Sequence, residues 1–160
     1  MAPLTGLSWG INMVNLLRPV DLIFEMHDEI RWHQKRLKGI KSALETKTPV
    51  YSIGGFETYG FKRYPVEAII NEFGEDYFGC SIDYMLAFAI YGKFEKVDVY
   101  GVNLVCGTEY YYERPSVEFW RGYAKGRGID IKFHGSICEV GKTKMGVMYG
   151  YETPQQVVAN

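Results

Sequence analysis

Phe78-Gly79-Cys80-Ser81-Ile82-Asp83-Tyr84-Met85-Leu86-Ala87-Phe88-Ala89-Ile90-Tyr91-Gly92, followed by Val97-Asp98-Val99-Tyr100-Gly101-Val102-Asn103, decides the fold. The first run reads as a small-residue turn entering a helix, with Ser81 as its cap and Gly92 as its stop. Ala87 and Ala89 let that helix lie close to a sheet. The second run, from Lys96 to Tyr100, reads as a core strand that ends in a polar loop. A helix N-terminus and a strand tip in that order meet where open α/β sheets bind ligands.

Toward the N-terminus, Ser8-Trp9-Gly10-Ile11-Asn12 and Asp21-Leu22-Ile23-Phe24-Glu25-Met26 are strand candidates. The near-continuous apolar centre of the second suits a strand covered on both faces. Asp28 to Leu44 predicts a helix, with Ile30, Leu37, Ile40 and Leu44 on one face, Asp28 as cap and Glu29 at the positive end. Val50 to Ile53 is a third strand closed by Gly54-Gly55, residues 56–64 read as loop, and Pro65 to Phe73 reads as a short helix. Arg114 to Lys125 predicts a helix that turns Val117, Trp120 and Ala124 inward, and Ile129 to Phe133 is the last strand. The tail from Gly141 reads as a hairpin around Gly146 or a loosely attached segment. Alternating strands and helices predict one α/β domain over residues 1–160, Rossmann-like, with a mostly parallel sheet and helices on both faces.

Composition narrows the function classes. A net charge of −1 argues against extended nucleic-acid binding, which needs clustered Lys and Arg. The basic run Arg31 to Lys41 is interleaved with Leu37 and Ile40 and reads as a solvated helix face. No apolar run approaches the roughly 20 residues of a membrane span, and residues at the N-terminus lack the basic segment and apolar core expected of a signal peptide. Cys80, Cys106 and Cys138 are odd in number without metal-like spacing, which places the thiols reduced and the protein in the cytoplasm.

Four segments carry candidate chemistry. Gly79, Cys80 and Ser81 start a helix, where backbone amides and the dipole favour an anion; an ordinary serine cap explains them equally simply. Glu25, His27 and Asp28 follow a strand and suit an acid–base pair, a divalent metal or a polar contact to ligand, against a capping Asp and a His bonded to backbone. Tyr110 to Arg114 follows the Gly101 strand tip and reads either as hydroxyl and guanidinium contacts to phosphate or as a Tyr-rich oligomer surface. Cys80 is either a thiolate activated by the helix N-terminus or a small buried thiol.

The block from Gly79 to Arg114 resembles the MptE-like domains (6-hydroxymethylpterin diphosphokinase and relatives) and the Rossmann-like bacterial sialyltransferases. Both carry a small-Ser-x-x-x-Met-x-x-Ala-x-x-x-Gly helix and a strand ending Gly-x-Asp, matched here by Cys80-Ser81, Met85, Ala89, Gly92 and Gly101-Val102-Asn103. Trp9-Gly10-Ile11-Asn12 is similar to the family's second strand, and the chain as a whole looks like phage-encoded members of unassigned function. The resemblance implies a nucleotide, nucleotide-sugar or pterin phosphate ligand and glycosyl or diphosphoryl transfer. It also places tyrosines of the Tyr111 loop on the phosphate. Three departures stand out: no Gly-x-Gly-Pro-Ser phosphate loop with its strand, Asn103 in place of the Asp, and no His between Gly101 and Ser116. The missing strand implies a sheet truncated at its N-terminal element and completed by pairing between subunits.

The resulting expectation is a small phosphorylated ligand bound by Asn12, Glu25, His27, Gly79, Cys80, Ser81, Gly101, Asn103, Tyr111 and Arg114, with no resident metal, in a homo-oligomer. Two alternatives stay open: a non-enzymatic phage assembly or host-interaction module, and a sponge that binds a nucleotide signal without turnover.

Overall fold

The apolar run Leu22-Ile23-Phe24 lies inside a four-stranded parallel sheet. In the computed structural model, which describes residues 6–27, 34–53, 59–105, 107–135, 138 and 140–142, the chain divides into two units, Met1–Asp76 and Tyr77–Asn160. In the first, β1 (Trp9–Ile11), β2 (Leu22–Glu25), β3 (Val50–Ser52) and β4 (Lys62–Arg63) pair in that order, all parallel. Ile11 lies opposite Phe24, Phe24 opposite Tyr51, Glu25 opposite Ser52, and Ser52 opposite Arg63.

Side chains alternate between the two faces of a strand. On one face Ile23 and Val50 form a core with Ile40 and Ala43 of helix α1 (Gln34–Glu45), joined by Phe61 and Leu37. Each large apolar side chain buried there is worth roughly 1.5–3 kcal/mol. Leu44, expected on this face, is 42% exposed, because the helix turns Ala43 to the sheet instead. Gly39 allows α1 to lie against the turn after β1: a Cβ there would stand 3.1 Å from Met13 Cγ, and the Asn15 amide donates to the Gly39 carbonyl at 2.7 Å. The other face is aromatic, with Phe24 at 5.5 Å from Trp9 and stacked on Tyr51 at 5.9 Å between ring centroids. The expected start of this helix at Asp28 and Glu29, with Ile30, lies outside the described residues, as do Gly54-Gly55, Cys106 and the tail beyond 142.

β4 falls in a stretch expected to be loop. Its two residues are exposed and charged, so no apolar signal marks them; they are held by the open edge of β3, and the Tyr64 amide extends the ladder to Ser52. Helix α2 (Val66–Phe73) follows, with Pro65 at its N-cap and Gly74 in the left-handed conformation at its end.

The second unit contains α3 (Ser81–Tyr91), β5 (Lys96–Tyr100), α4 (Arg114–Gly126) and β6 (Asp130–His134). β5 and β6 pair in parallel, from Lys96 opposite Asp130 to Tyr100 opposite His134. α3 packs on α4, and α4 on β6. Trp120 of α4 is fully buried, its ring stacks on Phe78, and its indole N–H donates to the Tyr77 carbonyl at 2.8 Å. β5 is not the buried core strand that was expected. Lys96, Asp98 and Tyr100 are exposed and alternate with half-buried Val97 and Val99. That period of two is the pattern of a strand with one wet face.

The architecture is thus α/β and Rossmann-like, with parallel strand pairing throughout the described residues. Among those residues no helix is long and apolar enough to cross a membrane.

Candidate functional site

At the carboxyl edge of the first unit's sheet, three polar residues end neighbouring strands. Asn12 follows β1 with φ of 54°, a left-handed conformation that Asn tolerates better than most residues. Its amide donates to the Phe24 carbonyl at 3.2 Å, which places it beside Glu25 on β2. Ser52, buried, ends β3 opposite Glu25.

Glu25 is 1% exposed. Its Oε1 lies 2.7 Å from His27 Nδ1, accepts the His27 backbone N–H at 3.4 Å, and stands 3.7 Å from Arg36 Nη1. The His27 side chain is 39% exposed. A carboxylate at Nδ1 selects the tautomer with its hydrogen there, leaving Nε2 with a free lone pair. Glu25 Oε2 and Asn12 Oδ1 are buried and have no hydrogen-bond partner among the described residues. The edge therefore offers two unsatisfied acceptors, an oriented imidazole and a guanidinium. Arg36 carries no motif and was not anticipated; only its place in the first described turn of α1 marks it.

In the second unit the start of α3 is already filled. Asp83 Oδ2 accepts the backbone N–H of Gly79 at 2.7 Å and of Cys80 at 2.9 Å. Cys80, not Ser81, is the N-cap, and Asp83 is the third residue of the helix, reaching back to it as in a capping box. The amides on which an anion site would depend are thus given to the chain's own carboxylate. Burial pushes the Asp83 carboxyl up, although both amide bonds pull it down. Burial first, then the Asp83 charge, pushes the half-buried Cys80 thiol up to about 12, which works against a thiolate there. Gly79 has no room for a side chain, since a Cβ would lie 2.5 Å from Ser116 Oγ. The Asp83 signal was present in the sequence as an acidic residue three positions after Cys80.

Gly101 turns the chain after β5 at φ of 77°, and half-buried Asn103 follows it. His134 Nε2 lies 2.7 Å from Asp98 Oδ1 and its ring stacks on Tyr100 at 4.4 Å. Tyr111 sits in a 3₁₀ turn, Glu109–Glu113, whose Tyr110, Tyr111 and Tyr112 are all exposed. Arg114 donates to the Lys142 carbonyl at 2.8 Å and stands 3.6 Å from Glu118. The anticipated residues are therefore divided: Asn12, Glu25 and His27 come together in the first unit, while Gly79, Cys80, Ser81, Gly101, Asn103, Tyr111 and Arg114 belong to the second. Among the described residues no three His, Cys, Asp or Glu side chains are grouped to hold a metal ion.

Set against protein-family models, curated proteins and solved structures, the chain matches none of them, so the reading of this site rests on its own geometry.

Proposed function

We propose that the chain is a Rossmann-like protein that binds a nucleotide, a nucleotide-sugar or a pterin phosphate at the carboxyl ends of β1 and β2. The observation that carries this reading is the pair of buried acceptors without donors, Asn12 Oδ1 and Glu25 Oε2, on adjacent strand ends. An unmet buried acceptor costs about 1–3 kcal/mol. A ligand with neighbouring hydroxyls removes that cost by donating to both, as an acidic residue in a Rossmann sheet does with ribose. Arg36 brings the positive charge that a phosphate needs. The Glu25–His27 dyad is also a proton-transfer device, which makes glycosyl or diphosphoryl transfer the reaction class to assay. A second reading, an assembly or host-contact module, is favoured by the exposed aromatic turn, where Tyr112 is 85% exposed.

Calorimetric titration with a nucleoside diphosphate, a nucleotide-sugar and a pterin phosphate tests the first reading. Wild type is expected to bind one of them. Glu25→Gln and Asn12→Ala each weaken binding about tenfold or more, the scale of a hydrogen bond to a buried polar group, while Ser81→Ala changes nothing. Loss at Ser81→Ala and Arg114→Ala alone would move the site to the second unit. The absence of heat with every ligand overturns the reading and leaves the tyrosine turn as the functional surface.

A further inference from the structure

One face of the four-stranded sheet changes character in a single step toward its carboxyl end. Ile23, Val50 and Phe61 belong to one core with Ile40 and Ala43 of α1. Side chains return to the same face every second residue, so the next row on that face is Glu25, Ser52 and Arg63. The strand register gives the same row: Glu25 lies opposite Ser52, and Ser52 opposite Arg63. Asn12 continues it at β1, held beside Glu25 by its amide bond to the Phe24 carbonyl. An amide, a carboxylate, a hydroxyl and a guanidinium thus end four adjacent parallel strands.

Two features of the row point to a ligand and to its length. Glu25 is buried, and its Oε2, with Asn12 Oδ1, has no hydrogen-bond partner among the described residues. Acceptors of that kind call for donors. The row also has a cation at two distances from this carboxylate. Arg36 Nη1 stands 3.7 Å from Glu25 Oε1. Arg63 starts two strands away, about 10 Å at the usual strand spacing. Its guanidinium pairs with Glu67 four residues on, and both side chains are 62% exposed. An exposed pair holds an arginine weakly and yields to a phosphate, which takes the guanidinium fork with more charge. Cations at two distances from one hydroxyl-binding end suit two phosphates in series. Among the ligand classes of the reading above, a nucleoside diphosphate has both neighbouring hydroxyls and a second phosphate.

We propose that Ser52 and Arg63 extend the site across the sheet, so that it seats a nucleoside diphosphate moiety. The ribose hydroxyls donate to Asn12 and Glu25, the Ser52 hydroxyl and Arg36 serve the first phosphate, and Arg63 takes the terminal one. This rests on the nucleotide reading and narrows it from three ligand classes to one.

Calorimetric titration with the adenosine, guanosine, cytidine and uridine series, each as nucleoside, monophosphate and diphosphate, tests the row. In at least one series wild type is expected to gain affinity with each phosphate. Arg63→Gln binds the nucleoside and the monophosphate as wild type does and loses the gain from the second phosphate, about tenfold or more, the scale of hydrogen bonds to a charged group. Ser52→Ala weakens the monophosphate and the diphosphate about fivefold, the scale of one neutral hydrogen bond, and leaves the nucleoside unchanged. Glu25→Gln weakens all three forms alike. Circular dichroism of each variant reports its folding. A second-phosphate gain that survives Arg63→Gln, or Ser52→Ala titrations that match wild type, overturns the row, while the loss at Glu25→Gln keeps the nucleotide reading. Binding of a pterin phosphate with no heat in any nucleoside series also overturns the row alone. No heat with any ligand overturns the row and the reading together.

Discussion

The start of α3 and the end of β2 are both places where a parallel α/β fold presents polar groups to a ligand, yet the chain treats them oppositely. At α3, Asp83 takes the amides of Gly79 and Cys80, and Ser116 donates to the Glu113 carbonyl at 2.9 Å. At β2, Glu25 is as deeply buried as Asp83, and each leaves its second oxygen without a hydrogen-bond partner among the described residues, but the first oxygen of Glu25 faces the His27 ring and the Arg36 guanidinium where that of Asp83 takes two backbone amides. The comparison separates a carboxylate given to backbone from one given to titratable and charged side chains, by the partners of the oxygen that is satisfied. A motif that looks like an anion cradle in sequence is closed by its own side chain, and a strand end with no motif gathers an imidazole and a guanidinium around its carboxylate.

Mutation should separate the two regions. The largest effect is expected at Gly79→Ala, which forces a Cβ against Ser116 Oγ and lowers stability by about 1–3 kcal/mol, the range for overpacking. Next comes Asp83→Ala, which removes the acceptor of two helix-start amides and lowers stability by about 1–2 kcal/mol. Urea denaturation measures both, and an unchanged midpoint in either denies that the α3 start is structural. Glu25→Gln keeps an acceptor for His27 and is expected to alter stability by less than about 1 kcal/mol, while abolishing tight ligand binding. A larger loss of stability there makes Glu25 structural and erases the contrast.

The smallest effect concerns pH. Hydrogen bonds from His134, then Lys96, hold the Asp98 carboxyl below the usual carboxylate range. Its ionised form therefore stabilises the fold above the unfolded value near 4, and that contribution is lost as pH falls through the lower folded value. Asp83, raised by burial, has the opposite sign: its contribution is full below the unfolded value and lost as pH rises through the raised one. Urea midpoints from pH 3 to 7 should accordingly show the wild-type advantage over Asp98→Asn shrinking toward acid. The difference between wild type and Asp83→Asn should move the other way. Parallel pH profiles for the two variants contradict the assignment.

What the sequence made legible follows physical signal strength. Leu22-Ile23-Phe24 announced a covered strand because a continuous apolar run has few alternatives, and Glu25 and His27 stood out as polar residues at its end. Lys62–Arg63 left no such mark, since its pairing comes from the edge of β3 and not from its own side chains. Val97 and Val99 suggested a buried strand, but Lys96, Asp98 and Tyr100 between them already carried the alternation of a half-exposed one. At α3 the eye goes to Ser81 as the best capping residue. Placing the cap one residue earlier brings Asp83 to the position that reaches back, and only tertiary burial against Ser116 decides between the two.

Native mass spectrometry of freshly purified chain, run beside Glu25→Gln and Asp83→Ala, tests the β2 strand end most directly. The account predicts a bound mass matching a phosphorylated, hydroxyl-rich metabolite on wild type and on folded Asp83→Ala, absent from Glu25→Gln. A wild-type spectrum at the mass of the bare chain, or an adduct that Glu25→Gln retains in full, contradicts it.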